Sequence, residues 1–148
     1  MQNILRISDA AVIALHTAGY LAGQQKPLSP AADIAKALGV SYNHLSKVLQ
    51  QLTKAGLVLP ARGPKGGFAL SPAGKKAKVR DFLAAIDGPP AMTACLLKHR
   101  VCGSSGCMFG DFLTETNRRF EAALNGRISA FSMRNNRAKT DLELRTGE

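Results

Sequence analysis

Apolar residues between positions 8 and 39 recur at the spacing of two amphipathic helices. The first pattern begins at Ser8-Asp9 and runs to about Leu21, with an apolar side formed by Val12, Ile13, Leu15 and Tyr20. The second begins at Ser29, an expected N-cap, with Pro30 at the first helical position, where its missing N–H leaves no bond unmade. Its predicted inner face is Ile34, Ala35 and Leu38, and Gly39 suits the left-handed residue that ends a helix.

A third helix with a regular apolar stripe follows at once. Ser41 is its expected N-cap, and the stripe at i, i+3, i+4 and i+7 is Leu45, Val48, Leu49 and Leu52. Two helices joined by the short connection Gly39-Val40-Ser41 are the pattern of a helix-turn-helix. The outward face of the second helix has no acidic residue and carries Tyr42, Asn43, Ser46, Lys47, Gln50 and Lys54. This bias indicates a surface that contacts bases and phosphates.

A two-stranded hairpin is predicted directly after the helix-turn-helix. Its strands are Leu57-Val58-Leu59 and Phe68-Ala69-Leu70, and the turn between them is Arg62-Gly63-Pro64-Lys65-Gly66-Gly67. A hairpin in this position is a wing, whose glycines allow a sharp turn and a close approach to a groove while Arg62 and Lys65 supply charge. The segment from Val79 to Asp87 then predicts a short helix.

The C-terminal part predicts a loop followed by one long helix. From Phe109 to about Ser132 the apolar residues keep helical spacing, and their stripe is longer than one small domain needs. We therefore expect a DNA-binding domain at 1–90, a cysteine-bearing loop at 91–108, a dimerisation helix at 109–132 and a flexible tail at 133–148. The fold class is mainly α: a winged helix-turn-helix domain with a two-stranded wing, plus a long C-terminal dimerisation helix.

Charge is distributed unevenly along the chain. Residues 1–80 contain eleven Lys and Arg against two acidic residues, whereas residues 81–148 contain nine against eight. The N-terminal half should therefore bind a polyanion, and nucleic acid is favoured because neutralising phosphates releases counterions. An acidic membrane surface is the rival partner, but no basic amphipathic helix is evident, so no membrane partner is expected. The lack of an export signal predicts a cytoplasmic location, and the lack of a nucleophile–base pair argues against an enzyme.

The three cysteines lie together in the segment CLLKHRVCGSSGC, with the spacing C-x6-C-x4-C. In a reducing compartment such clusters bind metal or do redox chemistry more often than they form structural disulfides. Thiolates bind iron well, so Cys95, Cys102 and Cys107 are candidate ligands of an iron–sulfur cluster. Such a cluster needs four anchoring ligands, and three cysteines leave the fourth unassigned. His99 lies within the segment and is one candidate for the fourth ligand. The alternative is three unliganded thiols, or a redox pair with a spare.

Four stretches resemble one family of bacterial winged-helix transcriptional repressors, the IscR/NsrR type. They are SYNHLSKVLQQLTKAGLV, RGPKGGFALS, DFLAAIDG and the cysteine triplet before a long helix. The resemblance implies a homodimer on a partly palindromic operator, with a [2Fe–2S] cluster, a [4Fe–4S] cluster or none. It implies three cysteine ligands from the loop and a variable fourth. Some members use a histidine as the fourth ligand, but the matching position here is Gly110. Others use an aspartate from the partner subunit, and Asp9 stands at that position. An acidic residue in the first turn is also explained by its favourable interaction with the helix dipole.

The helix-turn-helix pattern also assigns candidate DNA contacts. Early residues of the second helix reach base edges and phosphates, which selects Ser41, Tyr42, Asn43, His44 and Lys47. The wing should contribute Arg62, Lys65, Gly66 and Gly67. We expect a DNA-binding repressor controlled by an iron–sulfur cluster that senses nitric oxide, redox state or cluster supply. The alternatives are a cluster-free thiol-based or partner-regulated repressor and, from another class, a carrier of iron–sulfur clusters.

Overall fold

The computed structural model describes residues 6–97, 99, 101–103 and 106–132. Seven elements form the N-terminal part: α1 Asp9–Gly23, α2 Ala31–Leu38, α3 Tyr42–Lys54, β1 Val58–Ala61, β2 Gly67–Leu70, α4 Pro72–Lys76 and α5 Val79–Asp87. After the cysteine loop come α6, Gly110–Leu124, and a 3-10 turn, Ile128–Phe131. The predicted mainly helical fold with a two-stranded wing is confirmed. The predicted flexible tail at 133–148 lies outside the described residues.

The core of the winged domain lies where α1 packs against α3 and α5. The predicted stripe of α3 faces this core, with Leu45, Val48, Leu49 and Leu52 at most 1% exposed. Phe82 of α5 is fully buried beside it. Each such side chain contributes about 1.5–3 kcal/mol by leaving water, so α3 is held rigidly through its inner face.

The start of α3 and the end of α2 agree with the sequence, whereas the start of α2 differs. The Ser41 Oγ accepts a hydrogen bond from the His44 backbone N–H at 3.2 Å, and Gly39 has the left-handed φ of 66° that ends α2. The prediction that Ser29 caps α2 is wrong, because Pro30 occupies the N-cap position. Ser29 instead exchanges two backbone hydrogen bonds with Phe68 of β2, at 3.0 and 2.8 Å. These bonds satisfy its buried peptide groups and attach the wing to α2.

The wing is a regular antiparallel pair that runs from Val58 opposite Leu70 to Ala61 opposite Gly67. Gly67 is buried, and a Cβ on it would lie 2.6 Å from the carbonyl carbon and oxygen of Ser29. Only glycine therefore lets β2 lie this close to the start of α2. Directly after β2, Ser71 caps the short helix α4, which the sequence analysis does not predict.

The prediction of one continuous helix from Phe109 to Ser132 is wrong. Helix α6 ends at Leu124, and the Gly126 carbonyl accepts a hydrogen bond from the Val79 N–H at 2.9 Å. The Ile128 N–H donates to the Ala77 carbonyl at 3.2 Å, and the Ile128 side chain is 2% exposed. Extending α6 through Gly126 would cost about 1 kcal/mol relative to alanine. Burial of Ile128 and the hydrogen bonds to Ala77 and Val79 stabilise the observed path of the chain more than a longer helix would. None of the helices among the described residues is long and apolar enough to span a bilayer.

Candidate DNA-binding surface and cysteine loop

The first turns of α3 project from the winged domain with their polar side chains outward. Tyr42 is 56% exposed, and Asn43, His44 and Lys47 are exposed as well. Ser41 is exposed but its Oγ caps the helix, which fixes where α3 begins. Because the opposite face is locked in the core, these side chains share one defined surface.

A second part of the same surface lies between α3 and the start of α1. A shallow cleft of about 310 Å³ there is lined by Ala10, Val48 and the polar residues His44, Lys47, Gln50, Gln51 and Lys54. In the part of the chain that the structure describes, the ion pairs join Arg80 to Glu121 and Glu115 to Arg118 and Arg119. Among the described residues, therefore, no carboxylate forms an ion pair with Lys47 or Lys54, which leaves their field directed at solvent.

The wing turn carries two exposed cations and two glycines with packing roles. Arg62 and Lys65 are exposed, whereas Gly66 is half-buried and Gly67 is buried. A Cβ on Gly66 would lie 2.3 Å from the Ala61 carbonyl oxygen, so this glycine is required by the turn itself. Packing within the protein thus explains why both positions are glycine, and contact of these glycines with DNA stays a prediction.

Sequence reasoning missed Lys26, which lies in the connection between α1 and α2. A cleft of about 470 Å³ is lined by both Lys26 and the wing residues Lys65 and Gly66, with Tyr20, Gln24 and Asp33 among its other residues. The fold therefore adds a third cation beside the wing. The charge surplus of residues 1–80 includes Lys26, but its position outside any helix gave no pattern from which to place it.

The cysteine loop is attached to α6 near each of its ends. Cys95 and Cys107 are half-buried and Cys102 is exposed, and all are free thiols. The Cys107 Sγ accepts a hydrogen bond from the Phe109 N–H at 3.4 Å, and its carbonyl accepts one from the Gly110 N–H at 3.0 Å. Near the other end, the Thr93 carbonyl accepts a hydrogen bond from Asn117 of α6.

The two candidates for a fourth ligand lie on separate elements. His99 is an exposed residue of the loop itself. Asp9 is exposed in the first turn of α1, where Ser8 is the N-cap and bonds the Ala11 N–H at 3.1 Å. The Ser8 Oγ and N–H both donate to the Asp87 carboxylate, at 2.6 and 2.9 Å. Asp87 thereby joins the start of α1 to the end of α5, and Asp9 is not needed as a cap.

The described residues do not gather the side chains of a single-ion metal site. Among them, no three His, Cys, Asp or Glu side chains come close enough together to hold an ion. The three free thiols of the loop have the soft donor chemistry of an iron–sulfur ligand set.

A family model named Rrf2, described as an iron-dependent transcriptional regulator, matches residues 7–128. The HTH-type transcriptional regulator IscR of Serratia proteamaculans is 35% identical over 120 residues, which are 80% of this chain and 63% of that protein. The same-named regulator of Vibrio campbellii is 32% identical over 113 residues, 76% of this chain and 63% of that protein. The chain thus spans less than two thirds of these curated relatives.

Solved structures show the same fold. The global cysteine regulator CymR of B. subtilis has a TM-score of 0.67 at 19% identity, and the match covers 86% of this chain and 96% of that one. T. potens IscR has a TM-score of 0.59 at 21% identity, with 97% and 93% covered. Because the family model matches residues 7–128, which are most of this chain, the chain belongs to the Rrf2 family of transcriptional regulators.

Proposed function

We propose that the protein binds double-stranded operator DNA and represses transcription, with α3 in the major groove and the wing on the flanking backbone. The observation that carries this proposal is the exposed surface of α3 and the wing, whose own residues include no Asp or Glu. Its cations form no ion pair within the described residues, and their scaffold is fixed by the buried stripe of α3 and the bonds between Ser29 and Phe68. Rigid placement of cations and hydrogen-bonding groups is what groove recognition requires.

Salt dependence of DNA binding tests this surface. An operator is first selected from random duplexes, and its affinity is then measured at several salt concentrations. Lys47→Ala should weaken binding and reduce the salt slope by about one, since one phosphate or base contact is lost. Lys76→Ala, which removes an exposed lysine from α4, is the matched control. If the two variants have the same slope, net charge alone binds DNA and the assignment of α3 fails.

We also propose that the protein is a homodimer joined along α6. Helix α6 and the residue before it leave Phe109 and Phe112 45% and 56% exposed, while Leu113 and Leu124 pack inward. A second copy would remove these rings from water, and a two-fold dimer would favour a partly palindromic operator. Native mass spectrometry tests this point: a monomer at micromolar concentration contradicts it.

The finer proposal is that the cysteine loop holds the regulatory site. The free thiols of Cys95, Cys102 and Cys107 and the iron-dependent description of the family support an iron–sulfur cluster, [4Fe–4S] or [2Fe–2S]. Asp9 of the partner subunit or His99 is the candidate fourth ligand, and nitric oxide, redox state or cluster supply is the candidate signal. The same proposal places the protein in the cytoplasm.

The alternative is a cluster-free regulator that responds through the thiols themselves or through a partner. It is favoured by the absence, among the described residues, of gathered metal ligands. Anaerobic purification separates the two: matching iron and sulfide contents with broad visible absorption support the cluster, and colourless protein with reactive thiols supports the alternative. Asp9→Ala should alter the absorption spectrum if Asp9 is a ligand. An unchanged spectrum removes Asp9 from the site.

A further inference from the structure

Helix α6 has one polar residue on its otherwise apolar packing side. Leu113, Asn117, Phe120 and Leu124 follow one another at helical spacing, and the three apolar members are buried or half-buried. Asn117 is itself half-buried at a position where a leucine would continue the stripe. An amide on a packing surface is unfavourable unless it is hydrogen-bonded, so its partner indicates its role.

The partner of Asn117 belongs to the cysteine loop. The Asn117 Nδ2 donates to the Thr93 carbonyl at 3.0 Å across 24 residues of chain, and Thr93 is only 9% exposed. Thr93 stands two residues before Cys95. Because the bond is partly buried and joins α6 to the loop directly, it restrains the position of the chain that carries Cys95.

The other end of the loop is fixed to the same helix. Cys107 bonds through its carbonyl to the N–H of Gly110, the first residue of α6. Cys102, between these attachments, is exposed. The cysteine loop is therefore hydrogen-bonded to α6 at two places, in the middle of the helix and at its start.

We propose that Asn117 is the positioning residue that couples the state of the cysteine loop to α6, an inference that rests on the proposed regulatory role of the loop. Coupling needs an element whose arrangement both sites influence. The Asn117–Thr93 bond supplies the link, and it does so whether the loop binds a cluster or reacts as free thiols. Helix α6 carries the response to the exposed rings of Phe109 and Phe112.

The first test measures thiol reactivity in the apo protein. Asn117→Leu removes the donor and keeps the side apolar, so α6 can still pack. Asn125→Ala, at the exposed C-cap of α6, is the matched control. Each protein is alkylated with iodoacetamide, and the cysteine peptides are quantified by mass spectrometry over time. Asn117→Leu should react about fivefold faster at Cys95, the effect of losing one hydrogen bond, with Cys102 unchanged. Equal Cys95 rates in the three proteins overturn the anchoring role.

The second test measures coupling to DNA. In the wild type, alkylation of the loop should change operator affinity, and in Asn117→Leu that change should fall several-fold while unmodified affinity stays within twofold. If both proteins respond equally, Asn117 anchors the loop without coupling it, and the proposal is overturned. A wild type that binds no DNA contradicts the proposed function instead, and the alkylation rates of Cys95 still decide the anchoring.

Discussion

The winged domain and the C-terminal segment differ in how much of each is buried. In the winged domain, α1, α3 and α5 enclose a continuous core in which Leu45 and Phe82 are fully inaccessible. Between residues 91 and 127, the described residues bury only Thr93, Leu113 and Leu124. A segment with few buried contacts opens at lower free energy than a packed core. The difference suits the functions proposed for the two regions, a rigid DNA-binding surface and a loop and helix that respond to chemistry.

The largest expected effect concerns the core. Phe82→Ala should lower the free energy of unfolding by about 3–5 kcal/mol, because the large fully buried ring leaves a cavity that its neighbours cannot fill. Val101→Ala, whose side chain is 73% exposed in the cysteine loop, should change it by less than about 1 kcal/mol. Urea unfolding followed by circular dichroism measures both. Similar losses for the two variants would contradict the contrast between the regions.

The next effect compares a packed glycine with an open one. Gly67→Ala should destabilise the protein by about 1–3 kcal/mol, because its new methyl group would overlap the Ser29 backbone. Gly103→Ala in the cysteine loop meets no atom within 4 Å and should be neutral within about 0.5 kcal/mol. Thermal unfolding of both variants provides the measurement. A neutral Gly67→Ala would show that the wing is not held against α2.

A smaller effect is expected for the ion pair that joins the two regions. Arg80 and Glu121 connect α5 to α6, with side chains 35% and 48% exposed. Arg80→Met should cost about 0.2–1 kcal/mol, and the loss should shrink at high salt because solvent and ions screen the pair. A double-mutant cycle with Glu121→Gln isolates the pair from the packing of the arginine stem. A coupling energy that does not change with salt would assign the effect to packing.

The smallest effect depends on pH. Hydrogen bonds from Arg118 and then Arg119 lower the pKa of Glu115 to about 2 from 4.5. Because the folded pKa is the lower one, any stabilisation is complete above pH 4.5 and is lost as pH falls toward 2. Glu115→Gln should therefore differ slightly from the wild type at pH 7 in low salt, and the difference should vanish near pH 2. A difference that grows on acidification would contradict this sign.

Local patterns were enough to predict the helix-turn-helix and the helix that follows the wing. The stripe of α3, the cap at Ser41, the left-handed Gly39 and the helix Val79–Asp87 all depend on residues within a few positions of one another. Three features could not be found in this way. Ser29 pairs with Phe68, Asn117 bonds Thr93, and Ile128 leaves the α6 pattern for the core of the winged domain. Each depends on a partner distant in sequence.

The amino-acid sequence by itself therefore determined the stripe and cap of α3, the basic outer face of that helix and the identity of the three thiols, because helix periodicity, caps and charge act over short range. The tertiary structure decided where the wing is fixed, where α6 ends and how the loop of Cys95 is held to it. The physical reason is that buried backbone groups and apolar side chains must find partners. Folding of the whole chain decides which partners are within reach.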